Sequence, residues 1–268
     1  MGLRADSAPG SAVIQGQLWG ARASDWAQVQ EGMARPLYEA VLGKTGIGPD
    51  VSVLDIGCGA GMFCKIVARL GAKVTGGDAS AALIAIAKER VPQGNFDVVE
   101  MEALPYADGS FDAVTGFNSF QFAANPVNAL KEARRVARPG AQVAIATWGK
   151  PEDCEAADYL VALGSLLPPP PPGTPGPFAL SEESALEDMT TRAGLTPVEA
   201  EEVDCPFIYP DLETALIGLM SSGPAVKAIQ TSGEDRVRKA VADALAPFRT
   251  ASGGYRMENK FRYLIATA

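Results

Sequence analysis

The sequence predicts an α/β protein built on an open, mostly parallel sheet, and three observations predict it. Between Val51 and Trp148, short apolar runs alternate with amphipathic stretches of helical period, the pattern of consecutive βα units. Gly57, Gly59 and Gly61 crowd the end of the first apolar run, where a strand must turn into a helix. Asp78 then closes the second run, about twenty residues further on.

Residues 1–50 precede the alternating block. In "SDWAQVQEGMARPLYEAVL", Trp26, Val29, Met33, Leu37 and Val41 fall at helical spacing interrupted at Pro36. Such a segment is free to cover the open edge of the sheet, so an N-terminal helical lid is expected. The core, 51–150, should hold the strands "VSVLDIG", "KVTGGD", "FDVVEM", "FDAVTGF" and "AQVAIATW". Between them, Met62, Phe63, Ile66, Val67 and Leu70 share one helical face, as do Leu83, Ile84 and Ala87 in the next unit. "NPVNALKEARRVARPG" reads as a helix with Pro near its start and a Pro-Gly stop. Parallel strands covered by helices on both faces follow.

Residues 151–210 should supply a loop, a helix and a sixth strand. Pro151 to Pro177 ends in "PPPPPGTPGP", which lacks backbone donors and is expected to run as a stiff surface connector. "SEESALEDMTTRAGL" reads as a capped helix ending at Gly194, with a strand near Pro197 to Ile208. Residues 211–250 read as a helical cap in at least two pieces, and "YRMENKFRYLIATA", within 255–268, as the closing strand.

Composition narrows the partners. A chain of 268 residues, 47% hydrophobic and 21% charged, is globular. Its net charge of −9, with no Lys/Arg cluster, argues against nucleic acid. Cys58, Cys64, Cys154 and Cys205 show no CxxC spacing, and no histidine completes a mixed site, so buried thiols and no metal are expected. No apolar run approaches the roughly 20 residues that cross a bilayer. "MGLRADSAPG" has no apolar signal core, and Asp6 stands where a myristoylation signal wants Ser or Thr, so a cytoplasmic location is expected.

The glycine turn borders the crevice where open parallel sheets bind ligands. In the pyrophosphate-cradling pattern G-x-G-x-x-G, the third glycine would fall at Met62, and Gly61 arrives one residue early. Asp55 would repel phosphates but suit an ammonium group. Asp78 can accept both hydroxyls of a ribose. Glu100, in "VVEMEALPYADGSFDAV", offers an acceptor for an exocyclic amine, and the Met101 amide a donor to a ring nitrogen. An adenosine-bearing, phosphate-free, cationic ligand fits this set.

"VLDIGCGAGMF", Asp78, "EALPYADGSFDAV" and "RRVARPG" together resemble the motifs of class I S-adenosylmethionine-dependent methyltransferases, in the small-molecule group similar to the ubiquinone/menaquinone biosynthesis enzymes. The match spans roughly Val51 to Trp148. The resemblance implies a Rossmann-like, doubly wound, seven-stranded sheet whose last strand is antiparallel, with S-adenosyl-L-methionine as cofactor and S-adenosyl-L-homocysteine as product. It implies that Gly57, Cys58 and Gly59 face the methionine moiety, with Asp55 at its amino end. Asp78 would hold the ribose, Ala79 and Ser80 would pack beside the adenosine, and Glu100 and Met101 would read adenine. "FNSFQF", which includes Asn118, would border the methionine tail and the substrate. Many relatives carry a histidine after the fourth strand, where this chain has Gln121. Without any histidine an imidazole base is excluded, and Gln121 is expected to orient the acceptor.

Trp19, Trp26, Phe120, Gln121 and Phe122 are the residues expected to line the substrate. The expected substrate is a small, partly apolar molecule enclosed by the N-terminal helices and Asp211 to Phe248. The chain lacks the N-P-P-aromatic tetrapeptide of relatives acting on planar amines, and an aspartate cluster suited to magnesium. Two other readings remain at this stage: a catalytically silent S-adenosylmethionine binder, and an NAD(P)-dependent oxidoreductase, which Met62 and Asp55 disfavour. Oligomeric state and the choice among O-, N- and C-methylation are not expressed in the sequence.

Overall fold

A computed structural model describes residues 10–169, 176–182 and 184–268. The N-terminal segment forms α1 (Ala12–Gly20), α2 (Ala23–Asp25), a π turn over Trp26–Gln30, a 3-10 turn over Glu31–Ala34, and α3 (Arg35–Thr45). Pro36 falls in the first turn of α3, where a missing N–H costs nothing, and Gly46 ends the helix at φ +59°.

The βα units follow: β1 (Ser52–Ile56), α4 (Met62–Ala68), β2 (Lys73–Asp78), α5 (Ala81–Arg90), β3 (Asn95–Val98), β4 (Phe111–Phe117), α6 (Pro126–Val136) and β5 (Ala137–Trp148). Ser80 caps α5, its hydroxyl accepting from the Leu83 amide at 3.2 Å. Asn125 caps α6 by accepting from Val127 and Asn128, with Pro126 at the first helical position. The C-terminal half comprises α7 (Ala156–Ser165), α8 (Ala185–Arg192), β6 (Thr196–Asp204), β7 (Phe207–Tyr209), α9 (Leu212–Leu219), α10 (Gly223–Ser232), α11 (Glu234–Leu245), β8 (Tyr255–Met257) and β9 (Lys260–Thr267).

Seven strands form one sheet in the order β3-β2-β1-β4-β5-β9-β6, and β7 and β8 pair separately. Strands β1 to β5 run parallel, whereas β9 is antiparallel to both β5 and β6. The chain direction of winding reverses at β1, whose neighbours are β2 and β4, so a crevice opens at their carboxyl ends. Val53, Leu54 and Ile56 are at most 1% exposed. Each such side chain stabilises the fold by about 1.5–3 kcal/mol, which anchors the strand end that carries the glycine turn.

Several sequence expectations are revised. The stretch Pro151 to Pro177 is not one connector, since α7 lies within it, burying Ala156, Tyr159 and Leu163 on one face. Residues 170–175, which hold much of the proline run, lie outside the described residues. The strand expected from Pro197 to Ile208 divides into β6 and β7, and the closing strand into β8 and β9. Both breaks have one cause: buried Asn259 accepts from the Ala156 amide at 2.9 Å, and its carbonyl accepts from Cys205 at 2.7 Å, beside Pro206. Helix α6 ends at Val136, and the Pro-Gly pair belongs to a bulged start of β5. The cap over residues 211–250 is three helices, α9 to α11. All four cysteines are buried and free. Among the described residues, no helix is long and apolar enough to cross a membrane.

Candidate active site

The glycine turn is fixed by its neighbours. The Gly57 and Cys58 amides donate to the Gly77 carbonyl at 2.7 and 3.1 Å, tying the turn to β2. Gly57 has φ +74° and lies so close to Ser119 that any Cβ there would strike the Ser119 side chain. Asp78 is held from both sides, with Oδ2 accepting from the Gly59 amide at 2.9 Å and Oδ1 from the Ser80 amide at 2.8 Å. Each oxygen keeps a further lone pair for a ligand hydroxyl. Burial raises the Asp78 pKa, and those amides oppose the rise.

A cavity extends from this turn beneath the N-terminal helices and α7. Gly57, Gly59, Asp78, Ala79, Met101 and Asn118 line its sheet-edge side, with Ser119 and Gln121 beyond. Its far side is aromatic, with Tyr38, Phe117, Trp148, Tyr159, Phe207 and Phe261. Trp19 stands edge-on to Trp26 at 4.9 Å and to Phe122 at 5.4 Å, roofing the space from α1. Leu219, Ser222 and Pro224 close it from the α9–α10 region.

Glu31 enters from the N-terminal segment. It is 3% exposed, forms an ion pair with Arg90, and accepts from the Met62 amide at 3.3 Å. Arg90 also donates to the Ala27 and Ala60 carbonyls, so one guanidinium binds the N-terminal segment to the glycine turn. Burial pushes the Glu31 pKa up, and Arg90 pulls it back. Helix α1 is seated through glycines: a Cβ on Gly16 would fall on the Ala79 carbonyl, and one on Gly20 would lie 2.8 Å from Ser80 Oγ.

Of the residues singled out in the sequence, Gly57, Gly59, Asp78, Ala79, Met101, Asn118, Trp19, Trp26, Gln121 and Phe122 line this one cavity. Asp55, Cys58, Ser80, Glu100 and Phe120 do not. Asp55 is 2% exposed and turned inward, accepting from Thr115 Oγ1 at 2.7 Å and from Cys64 Sγ at 3.7 Å, and burial lifts its pKa to about 7. Cys58 packs in the core, and Ser80 is occupied as the α5 cap. Glu100 accepts from the Ala12 amide at 2.8 Å and the Glu102 amide at 3.2 Å, so it holds the start of α1. The 3-10 turn over Phe120–Phe122 rotates Phe120 inward over Gly116, leaving it 1% exposed. Sequence reasoning missed Gln30, Glu31, Tyr38, Trp148 and Tyr159 as lining residues. Trp148 had a findable signal: like Phe117, it is an aromatic at the carboxyl end of a parallel strand.

The donor set discriminates among ligands. Among the described residues lining the cavity none is lysine or arginine, and the charged ones are Glu31 and Asp78. A pyrophosphate would meet carboxylates without a cation. The adenosine and ammonium of S-adenosylmethionine fit instead, since Asp78 can take hydroxyls and the glycines leave a cradle that side chains would fill. Ser119 Oγ and Gln121 Oε1 are buried without a partner among the described residues, as groups awaiting a ligand would be.

A family model described as a methyltransferase domain matches residues 54–145. The ubiquinone biosynthesis O-methyltransferase of Pseudoalteromonas translucida is 30% identical over 180 residues, covering 62% of this chain and 75% of the relative. The demethylmenaquinone methyltransferase of Beutenbergia cavernae is 36% identical over 120 residues, 45% of this chain and 50% of the relative. An uncharacterized protein of Mycobacterium tuberculosis is 32% identical over 128 residues, 46% of this chain and 47% of the relative. The chain thus spans about half the length of several curated relatives it matches. Among solved structures, the [4+2]-cyclase SpnF superposes with a TM-score of 0.62 at 20% identity, over 98% of this chain and 97% of that one. A methyltransferase-like protein from Bacillus halodurans does so with a TM-score of 0.58 at 16% identity, over 86% and 97%. These two likenesses concern the fold.

Proposed function

The chain belongs to the S-adenosylmethionine-dependent methyltransferases, and from that membership we propose that it methylates a small-molecule acceptor held in the cavity described above. One observation carries the reading: a single cavity joins a glycine-cradled, carboxylate-marked sheet edge to an aromatic chamber.

In this reading Asp78 takes the ribose hydroxyls, Met101 borders the adenine, and Gly57, Gly59 and Asn118 receive the methionine tail. Bound there, S-adenosylmethionine supplies a methyl group already activated by its sulfonium, so no protein nucleophile is required. The chain's own contribution is position, an effect worth up to about 7–11 kcal/mol when the reacting atoms are held about 3–3.5 Å apart. Gln121 donates from Nε2 to Asn118 Oδ1 at 3.2 Å, which fixes its carboxamide beside the cavity. Burial pushes the Tyr38 hydroxyl well above its ordinary value, so it stays protonated and can orient an acceptor without removing its proton. The names of the relatives, concerned with ubiquinone biosynthesis and demethylmenaquinone, favour an acceptor with a large apolar part.

The test incubates the full chain with methyl-labelled S-adenosylmethionine and a panel of metabolites, with mass spectrometry of the products. Label in an acceptor, matched by S-adenosylhomocysteine release, is the expected result. Tight cofactor binding with no acceptor labelled across the panel would favour a protein that uses the fold for other chemistry, a reading that the likeness to a cyclase keeps open. Gln121→Leu is expected to raise the acceptor KM at least fivefold while leaving cofactor affinity within twofold; unchanged KM and kcat would remove its orienting role.

A further inference from the structure

The amino acid end of the cofactor needs a partner that Asp55 does not supply. That carboxylate, set there by the sequence, is turned into the core, and Asp78 is held at the end of β2 by the Gly59 and Ser80 amides. The other charged group among the described lining residues is Glu31. It stands beside Trp26 because of the π turn: the Glu31 amide donates to the Trp26 carbonyl five residues back, which brings together two side chains that an α-helix would part by about 140°. Both converge on Gly59. The Cβ that this glycine lacks would stand 3.1 Å from Glu31 Oε1 and 3.6 Å from Trp26 Nε1. Arg90 grips the carboxylate and, through the Ala27 and Ala60 carbonyls, fixes where it points. Together with the Met62 and Ala60 amides it leaves one of the about four acceptor positions of a carboxylate open. The Trp26 indole N–H meets no acceptor among the described residues.

An α-amino acid carries its ammonium and its carboxylate on one carbon, so its receptor wants an anionic acceptor and a donor side by side. An ammonium stripped of water without an anionic partner is costly, whereas a charge-assisted hydrogen bond is roughly twice as strong as a neutral one. We infer that Glu31 receives the ammonium of the cofactor's methionine moiety and that the Trp26 N–H donates to its carboxylate. The N-terminal cover then holds the cofactor directly as well as enclosing it. The inference rests on the cofactor reading of this cavity and assigns the end of it that Asp55 leaves unserved.

The experiment is calorimetry on the full chain with S-adenosylhomocysteine and two analogues. One, 5′-S-(3-carboxypropyl)-5′-thioadenosine, lacks the amino group; the other, 5′-S-(3-aminopropyl)-5′-thioadenosine, lacks the carboxylate. Loss of the amino group is expected to weaken binding at least tenfold in the unaltered chain but at most threefold in Glu31→Gln, a cycle that isolates the pair. Loss of the carboxylate is expected to cost at least fivefold in the unaltered chain and at most twofold in Trp26→Phe, which keeps a ring and loses the N–H. If Glu31 acts only by seating the cover through Arg90, Glu31→Gln weakens all three ligands alike, and ratios left unchanged in that way overturn the proposal. A deaminated analogue that binds the unaltered chain as tightly as S-adenosylhomocysteine also overturns it, and that comparison needs no variant to fold. A carboxylate ratio unmoved by Trp26→Phe removes the indole's part. With heat from S-adenosylhomocysteine present, these failures touch only this inference; without that heat, the proposed function falls as well.

Discussion

Asp55 lies near the end of β1 and Asp78 at the end of β2, and only the second meets the cavity. Inward burial lifts the Asp55 pKa to about 7, so the folded chain retains a proton that the unfolded chain releases near pH 4. Stability therefore falls as pH rises from about 4 to about 7, by about 1.4 kcal/mol per pH unit at most. Asp55→Asn keeps an acceptor for Thr115 and is expected to flatten this slope, read as Tm between pH 5 and 7; identical slopes in the two proteins would contradict the inward placement. Asp78→Ala removes charge-assisted hydrogen bonds worth about 1.5–3 kcal/mol each and is expected to weaken S-adenosylhomocysteine binding at least tenfold by calorimetry. The sequence located both carboxylates but not their directions. In a strand buried on both faces, alternation carries no label for the side that meets the crevice.

Helix α1 is the element whose seating the sequence concealed. Where it meets the turn after β2 it carries glycines, Gly16 over Ala79 and Gly20 over Ser80, while Val13 and Ile14 are exposed, so no amphipathic stripe announces it. We read α1 and the segment through Ala34 as the cover of the cofactor site, fastened by Glu100 at the α1 start and by Arg90 at Glu31. Two substitutions of the same kind separate seating from helix propensity. In either helix, alanine for glycine favours the helical state by about 1 kcal/mol. Gly43 on α3 faces open space, so Gly43→Ala is expected to raise the Tm. Gly16→Ala sets a Cβ against a backbone carbonyl and is expected to speed amide exchange across Ala12–Gly20 and weaken cofactor binding at least fivefold; exchange as slow as in the unaltered chain would refute the seat. The βα units were legible because period and punctuation agree along them. Helix α7 was not, because neighbouring prolines dominate its stretch, and the split strands depend on Asn259, which accepts across the fold from the Ala156 and Cys205 amides.

At the scale of the molecule, the sheet gathers the ends of β1, β2, β4 and β5 around one cavity, and the N-terminal and C-terminal helices close it. The cofactor half was legible because its groups sit in short motifs at strand ends, where topology alone dictates their meeting. The aromatic half was not, because Tyr38, Tyr159, Phe207 and Phe261 come from four separate elements and converge only through the packing of the whole chain. The central claim is that this cavity holds adenosine joined to a cationic amino acid and rejects a dinucleotide. Calorimetric titration of the full chain with S-adenosylhomocysteine, and in parallel with NADH, tests it most directly. Saturable one-to-one heat from the first and none from the second is the predicted result; heat from NADH alone, or from neither, would contradict it.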